Sequence, residues 1–173
     1  MISTVTGPSQ IELIKAAVST RVRRFIPAEF SGPPELRVLY DQIDSKRVEA
    51  LHLLDRYSGQ MPSTYFVCGI FYEHFQPGGL GSSGMGAASG FNAEGDYIMN
   101  CRSMETQLYV SGPNQQPNAA ICMTSVQDVA RYVCKALDLP TWPKQIRMYG
   151  ARLRITDLIS KASGLRGQYL LWK

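Results

Sequence analysis

Apolar residues recur at helical spacing in some stretches of the chain and as short unbroken runs in others. Ile11, Ile14 and Val18 fall on one helical face, and Ser9-Gln-Ile-Glu12 has the spacing of a capping box, so an amphipathic helix is predicted from 9 to about 19. Ahead of it, Met1-Ile-Ser-Thr-Val-Thr6 reads as the end of a buried strand, and behind it Arg24 to Ile26 reads as a short strand closed by Pro27. Strand, helix and strand at this spacing predict a parallel crossover unit.

Gly and Pro make residues 31–37 a loop. A second helix is predicted from about 44 to 57, with Val48, Leu51 and Leu54 facing inward. Ser63-Thr-Tyr-Phe-Val-Cys-Gly69 is rich in β-branched and aromatic residues and reads as another buried strand, from which Ile70 to Phe75 turns away. Residues 77–92 are dense in Gly and Ser and read as a flexible loop or lid. Asp96 to Val110 suits a strand pair, Ala119 to Met123 a further strand, and Gln145 to Tyr149 another. Ser125-Val-Gln-Asp128 caps a third helix with Val126, Val129, Val133 and Leu137 inward, and Thr156 caps a last helix ending near Gly164.

Composition narrows the function classes. A chain of 173 residues with 45% hydrophobic and 18% charged residues describes one ordinary globular core and excludes a disordered protein. Its net charge of +4 comes from scattered residues apart from Arg21, Arg23 and Arg24, which suit the carboxyl end of a helix, so no nucleic-acid surface is expected. The four cysteines show no CxxC spacing and there are 2 histidines, which argues against a metal site and for free thiols. With no apolar membrane span and no leader-like start, the expected location is the cytoplasm.

Candidate chemistry lies at the strand ends. Ser3, Thr4 and Thr6, then Pro27, Ala28, Glu29 and Phe30, then Cys68, Gly69, Ile70 and Phe71 follow three successive strands, where open α/β sheets bind ligands; ordinary connecting turns would give the same pattern. Gly81-Ser-Ser-Gly-Met-Gly86 superficially suggests a phosphate cradle but lacks the strand before it and the helix after it. Lys46, near the start of the second helix, is a solvated residue on spacing alone, or a proton donor if a substrate oxygen comes within reach. His52 reads as a partly buried structural histidine, Asp128 as support for a helix N-terminus, and no Ser or Cys has the partners of a hydrolase triad.

Ile2-Ser-Thr-Val5, Gln10-Ile-Glu-Leu-Ile-Lys-Ala-Ala17 and above all Arg23-Arg-Phe-Ile-Pro-Ala-Glu-Phe30 resemble the NmrA-like and isoflavone reductase-like family, atypical short-chain dehydrogenase relatives, especially its fungal members. Residues 63–75 and 125–137 extend the resemblance over nearly the whole chain. It implies the C-terminal half of a Rossmann-like, doubly wound parallel sheet in residues 1–75, and part of a smaller α+β substrate domain in residues 76–173 that also adds strands and helices to the core. It further implies an NADP(H)-dependent oxidoreductase of a small aromatic or phenolic substrate, with Lys46 as catalytic residue and the three strand ends as cofactor-binding residues. The alternative within the family is a non-catalytic NAD(P)-sensing regulator of a protein partner. Ala28 and Ser31 depart from the family's usual Ser and Gly. The family's glycine-rich cofactor turn would lie upstream, so the chain is expected to be a fragment that binds NADP(H) weakly by itself.

Overall fold

The computed structural model describes residues 1–36, 45–87, 90–106, 119–169 and 171–172. In chain order the helices are α1 (Pro8–Ser19), α2 (Ser45–Arg56), α3 (Val126–Leu137) and α4 (Ile155–Arg166). The strands are β1 (Phe30–Ser31), β2 (Tyr65–Val67), β3 (Ile70–Phe71), β4 (Met99–Asn100), β5 (Glu105–Thr106), β6 (Ala120–Thr124), β7 (Gln145–Arg147), β8 (Ala151–Arg154) and β9 (Leu171–Trp172). Two compact units emerge, one of residues Met1–Gly69 with Val129–Met148 and one of Ile70–Asp128 with Tyr149–Lys173.

The first unit is built on parallel pairing. Ile2 bridges to Ile26 and Phe25 to Ser63, β1 pairs with β2 (Phe30 opposite Phe66), and β2 pairs with β7 (Phe66 opposite Ile146). Four neighbouring segments therefore run the same way, and their carboxyl ends share one edge. The expected crossover from Ile2 through α1 to Phe25 is present. Its helix starts one residue early, because Gly7 adopts φ 66° and Pro8 supplies the preset φ of a first turn. Ser9 consequently lies inside the helix, and the capping box is not made.

Gln10, Ile11, Ile14 and Ala17 form the buried face of α1. Ile11, Ile14 and Ala17 meet Ala50 and Leu54 of α2, with Phe25 and Met61, in one apolar cluster. The inner face of α2 is thus centred on Ala50 and Leu54, with Leu51 half-buried and Val48 exposed, contrary to the expected Val48-Leu51-Leu54 line. Ala50 has almost no side chain, so α1 and α2 approach closely there, and a hydrophobicity pattern underweights so small a residue. His52 is exposed, not partly buried. Within residues 129–137 of α3, Val129, Val133 and Ala136 are buried, while Leu137 is exposed. The Arg24 guanidinium donates to the carbonyls of Leu137, Leu139 and Pro140 and lies 5.1 Å over the Trp142 ring.

In the second unit β6 is central, parallel to β3 (Phe71 opposite Thr124) and antiparallel to β8 (Cys122 opposite Arg152). The β4–β5 hairpin realises the first part of the strand pair expected over 96–110, and residues 107–110 lie outside the described residues. β9 runs parallel to β5, and Met99, Met104 and Ile159 form a small core. Strand β8 leads straight into α4 with Arg154 at the N-cap, so Thr156 sits in the first turn, and the helix ends at Gly167 with φ 64°.

Candidate functional site

The carboxyl edge of the first unit brings together Ser3, Pro27 to Phe30, Cys68 and Gly69. Each position follows from the pairing: Ser3 N–H donates to Ile26 O at 2.8 Å, Phe66 N–H to Glu29 O at 3.2 Å, and Cys68 N–H to Ser31 O at 3.0 Å. Ser3 is buried, and its hydroxyl donates to Val5 O at 3.1 Å, while Thr4 and Thr6 are exposed. Pro27 and Ala28 form a buried apolar wall, and Glu29 N–H closes a tight turn on Pro27 O at 2.7 Å. Phe30 stacks on Phe66 with ring centroids 5.8 Å apart. Burial pushes the Cys68 thiol up to about 12, so at neutral pH it is protonated and a poor nucleophile.

Two side chains brace this edge from the helices. Gln10, fully buried on α1, accepts the Ala28 N–H on Oε1 at 2.6 Å. Arg47, on α2, donates from Nε to Glu29 Oε1 at 2.8 Å and from Nη2 to Ser31 Oγ at 3.3 Å. Glu29 is buried, with its carboxylate turned onto Arg47, so it orients the turn. The sequence reading did not single out Gln10 or Arg47 individually; Gln10 could have been found as a polar residue on the inner face of α1. Lys46, one residue before Arg47, is half-exposed, and its Nζ donates to Glu49 at 2.7 Å.

Ile70 and Phe71 belong to the second unit, in β3. Directly after them, Glu73 accepts the Val126 N–H and Ser125 Oγ accepts the Asp128 N–H, so two residues cap α3. Asp128 lies in the first turn of that helix, as expected. His74 is buried between the rings of Phe71 and Tyr97.

The Gly-rich stretch 77–92, expected as a flexible loop or lid, contains a hydrogen-bonded turn among its described residues 77–87 and 90–92. Leu80–Ser83 forms a 3-10 turn, and the backbone N–H groups of Gly78, Gly79, Gly81, Ser82, Gly84 and Met85 donate to Glu94, Gln76, Asn92, Gly79, Gly81 and Leu80 respectively. A Cβ at Gly79 would stand 2.6 Å from backbone atoms of Asn92 and Ala93, so Gly is required for that close approach. Amides committed in this way cannot cradle a phosphate.

Among the described residues no group of three or more His, Cys, Asp or Glu could hold a metal, and no helix is long and apolar enough to cross a membrane. All four cysteines are free thiols. A nicotinamide cofactor would find at the first unit's edge an apolar wall (Pro27, Ala28) beside exposed hydroxyls (Thr4, Thr6). That edge fits the ring end of a dinucleotide; the Gly-rich turn does not fit its phosphates.

The sequence matches no protein-family model and no curated protein. Its fold is similar to several solved structures. Leucoanthocyanidin reductase from Vitis vinifera, solved with NADPH, matches with a TM-score of 0.69 and 20% identity, over 99% of this chain and 52% of that one. A structure of the pinoresinol-lariciresinol and phenylcoumaran benzylic ether reductases matches at 0.67 and 19%, over 99% and 54%. UDP-glucuronic acid 4-epimerase from Bacillus cereus, in complex with NAD, matches at 0.60 and 14%, over 95% and 52%. The chain spans about half the length of these proteins. It has a mixed α/β fold with a parallel sheet that matches part of the Rossmann-like fold of NAD(P)-binding reductases.

Proposed function

We propose that this chain belongs to an NADP(H)-dependent oxidoreductase of the isoflavone reductase-like type that acts on a small aromatic or phenolic substrate. The observation that carries the proposal is the braced carboxyl edge of the first unit, on a fold shared over 99% of the chain with a reductase solved with NADPH. In this reading the carboxyl edge of the first unit serves the nicotinamide end of the dinucleotide. Thr4 and Thr6 offer hydroxyls to the nicotinamide end, and Pro27 with Ala28 excludes water from one side of it. The bound cofactor supplies the hydride. Gln10 and Arg47 hold the turn at 27–31 in place.

Lys46 is assigned the proton at the substrate oxygen. Its Nζ lies at the solvent surface at the start of α2, next to the residue that touches the Glu29 turn. Its pair with Glu49 is exposed on both sides, the kind of ion pair that releases its partner at little cost. The test is NADPH oxidation over a panel of phenolic substrates by the protein that carries this chain, with Lys46→Ala beside the wild type. Turnover abolished with cofactor affinity nearly intact is the expected result. Unchanged turnover would remove Lys46 from the mechanism, and saturable NADPH binding without turnover on any substrate would favour the sensing regulator.

A further inference from the structure

We infer that the amino edge of the first unit carries a binding site for a small carboxylate with an apolar body, held by Arg21 and Arg23 over a floor of Val18, Val22 and Met61. This edge lies opposite the carboxyl edge, because residues 21–24 lead into the parallel segment at Phe25 and residues 60–62 into the one at Ser63. The Phe25 N–H donates to Pro62 O at 3.0 Å and joins the two turns. A cavity of about 400 Å³ is lined there by those five residues and Gln60, a volume within the range of small-molecule sites. Met61 is 1% exposed, Val18 and Val22 are partly buried against the core, and Arg21 and Arg23 are exposed. The inference stands apart from the reductase reading, whose cofactor-edge residues lie at the other end of the same segments.

These two arginines are not tied into the fold. Near the end of α1 the carbonyls of Ala16, Ala17 and Val18 accept from the N–H groups of Thr20, Val22 and Arg21 at 3.0, 2.8 and 3.0 Å, so the helix end draws on neither guanidinium. Neither has a hydrogen bond or ion pair with a described residue. Arg24 differs, since it is committed to the carbonyls of residues 137, 139 and 140 and to the Trp142 ring. It lines a wider hollow on the far side of Val22 and Arg23, which also includes Asp138. That carboxylate repels an anion, so the charged end of a ligand belongs on the Arg21 side. Arg21 also holds φ 55°, a conformation that glycine adopts without strain. A long cationic side chain kept at a strained position, beside a second unpaired cation, sets a positive potential over an apolar floor. An amphiphilic anion complements both. An inorganic anion would leave the floor uncovered, and a neutral apolar molecule would leave the guanidiniums without a counter-charge.

The experiment titrates hexanoate, hexan-1-ol and acetate into the full chain at low ionic strength, followed by nuclear magnetic resonance of isotopically labelled methionine methyl groups. Met61 on the floor reports on the cavity, and Met104, buried in the second unit, is the control. Hexanoate should shift the Met61 signal saturably and leave that of Met104 in place. It should bind about 3- to 20-fold more tightly than hexan-1-ol, the range two exposed ion pairs supply, and added salt should narrow that preference. Acetate, which has the charge without the apolar body, should bind more weakly than hexanoate. Arg21→Gly removes one guanidinium and relieves the backbone, so it should be no less stable than the wild type while the preference falls. Combined with Arg23→Gln, it should bring the preference close to one. Equal binding of hexanoate and hexan-1-ol, acetate binding as tightly as hexanoate, shifts at Met104 instead, or an undiminished preference in the double variant would overturn the inference. If the double variant does not fold, the wild-type comparison and its salt dependence decide alone.

Discussion

Replacing Arg47 with Met removes the guanidinium and its bonds to Glu29 and Ser31 while keeping most of the apolar stem. The Arg47 and Glu29 side chains are 20% and 1% exposed and 2.8 Å apart, so the pair is closer to a buried ion pair than to a surface one. Exposed pairs contribute about 0–1 kcal/mol, whereas removing one member of a buried pair costs about 3–5 kcal/mol because the other charge stays in a low-dielectric site. One-fifth exposure of the arginine places Arg47→Met at the lower end, about 3 kcal/mol. For a chain of this size that loss lowers Tm by about 6–12 °C. Urea unfolding followed by circular dichroism measures it, and Arg47→Lys, which keeps the charge but loses the planar fork, should fall between. The double variant Arg47→Met with Glu29→Leu should recover much of the loss, since it leaves no stranded charge. A single-variant cost below about 1 kcal/mol, or a double variant no better than the single, would refute the reasoning.

Three further perturbations test other parts of the structure. Gly79→Ala should cost well above the roughly 1–2 kcal/mol of positive φ alone, because its Cβ would meet the Asn92–Ala93 backbone at 2.6 Å; Gly84→Ala, with φ 68° and open space around it, should cost only that strain, and denaturation midpoints compare the two. Cys68 should resist a water-soluble thiol reagent at mildly alkaline pH until the chain unfolds, because burial pushes its thiol up to about 12, while the exposed Cys134 reacts at once. The folded-state pKa of His74 is lowered from 6.5 by burial, so the unfolded chain takes up its proton first; stability should decline as pH falls below about 6.5, and His74→Phe should flatten that part of a stability–pH curve.

What could be read from the sequence depended on how local the cause was. The α1 face at Ile11 and Ile14 and the strand at Phe66 follow from short-range periodicity and are present, while the strand expected at Arg24 to Ile26 is reduced to isolated parallel bridges at Phe25 and Ile26. The strand ends were identifiable because parallel neighbours place their carboxyl ends on one edge. Ala50 was missed because its importance is steric: a methyl group permits a close helix contact that no hydrophobicity pattern marks. The hydrogen bonds of the Gly-rich turn were not legible for a related reason: composition suggests looseness, and the acceptors at Gln76, Asn92 and Glu94 lie outside the densest run. β8 escaped notice because Ala-Arg-Leu-Arg alternates over only four residues, and its pairing partner β6 lies 27 positions or more earlier in the chain.

The adjacent basic residues at the start of α2 show how one helical step divides two roles. At 3.6 residues per turn, each position advances about 100° around the axis. Measured from midway between Ala50 and Leu54, the centre of the buried face, Arg47 lies about 40° to the side of Leu51 and Lys46 about 60° to the side of Leu53. Both therefore flank the packed face, on opposite sides. The observed contacts agree, since Arg47 reaches Glu29 and Ser31, and Lys46 reaches Glu49 on its own helix. A charge held by a buried carboxylate is fixed in position and unavailable for proton transfer, whereas an amine in an exposed pair can change partners. This division makes the two substitutions diagnostic together. Loss of Arg47 should appear first in stability and cofactor affinity; loss of Lys46 should appear in turnover alone. If Lys46→Ala and Arg47→Met had the same effect on stability and on turnover, the assignment of one residue to positioning and the other to chemistry would fail.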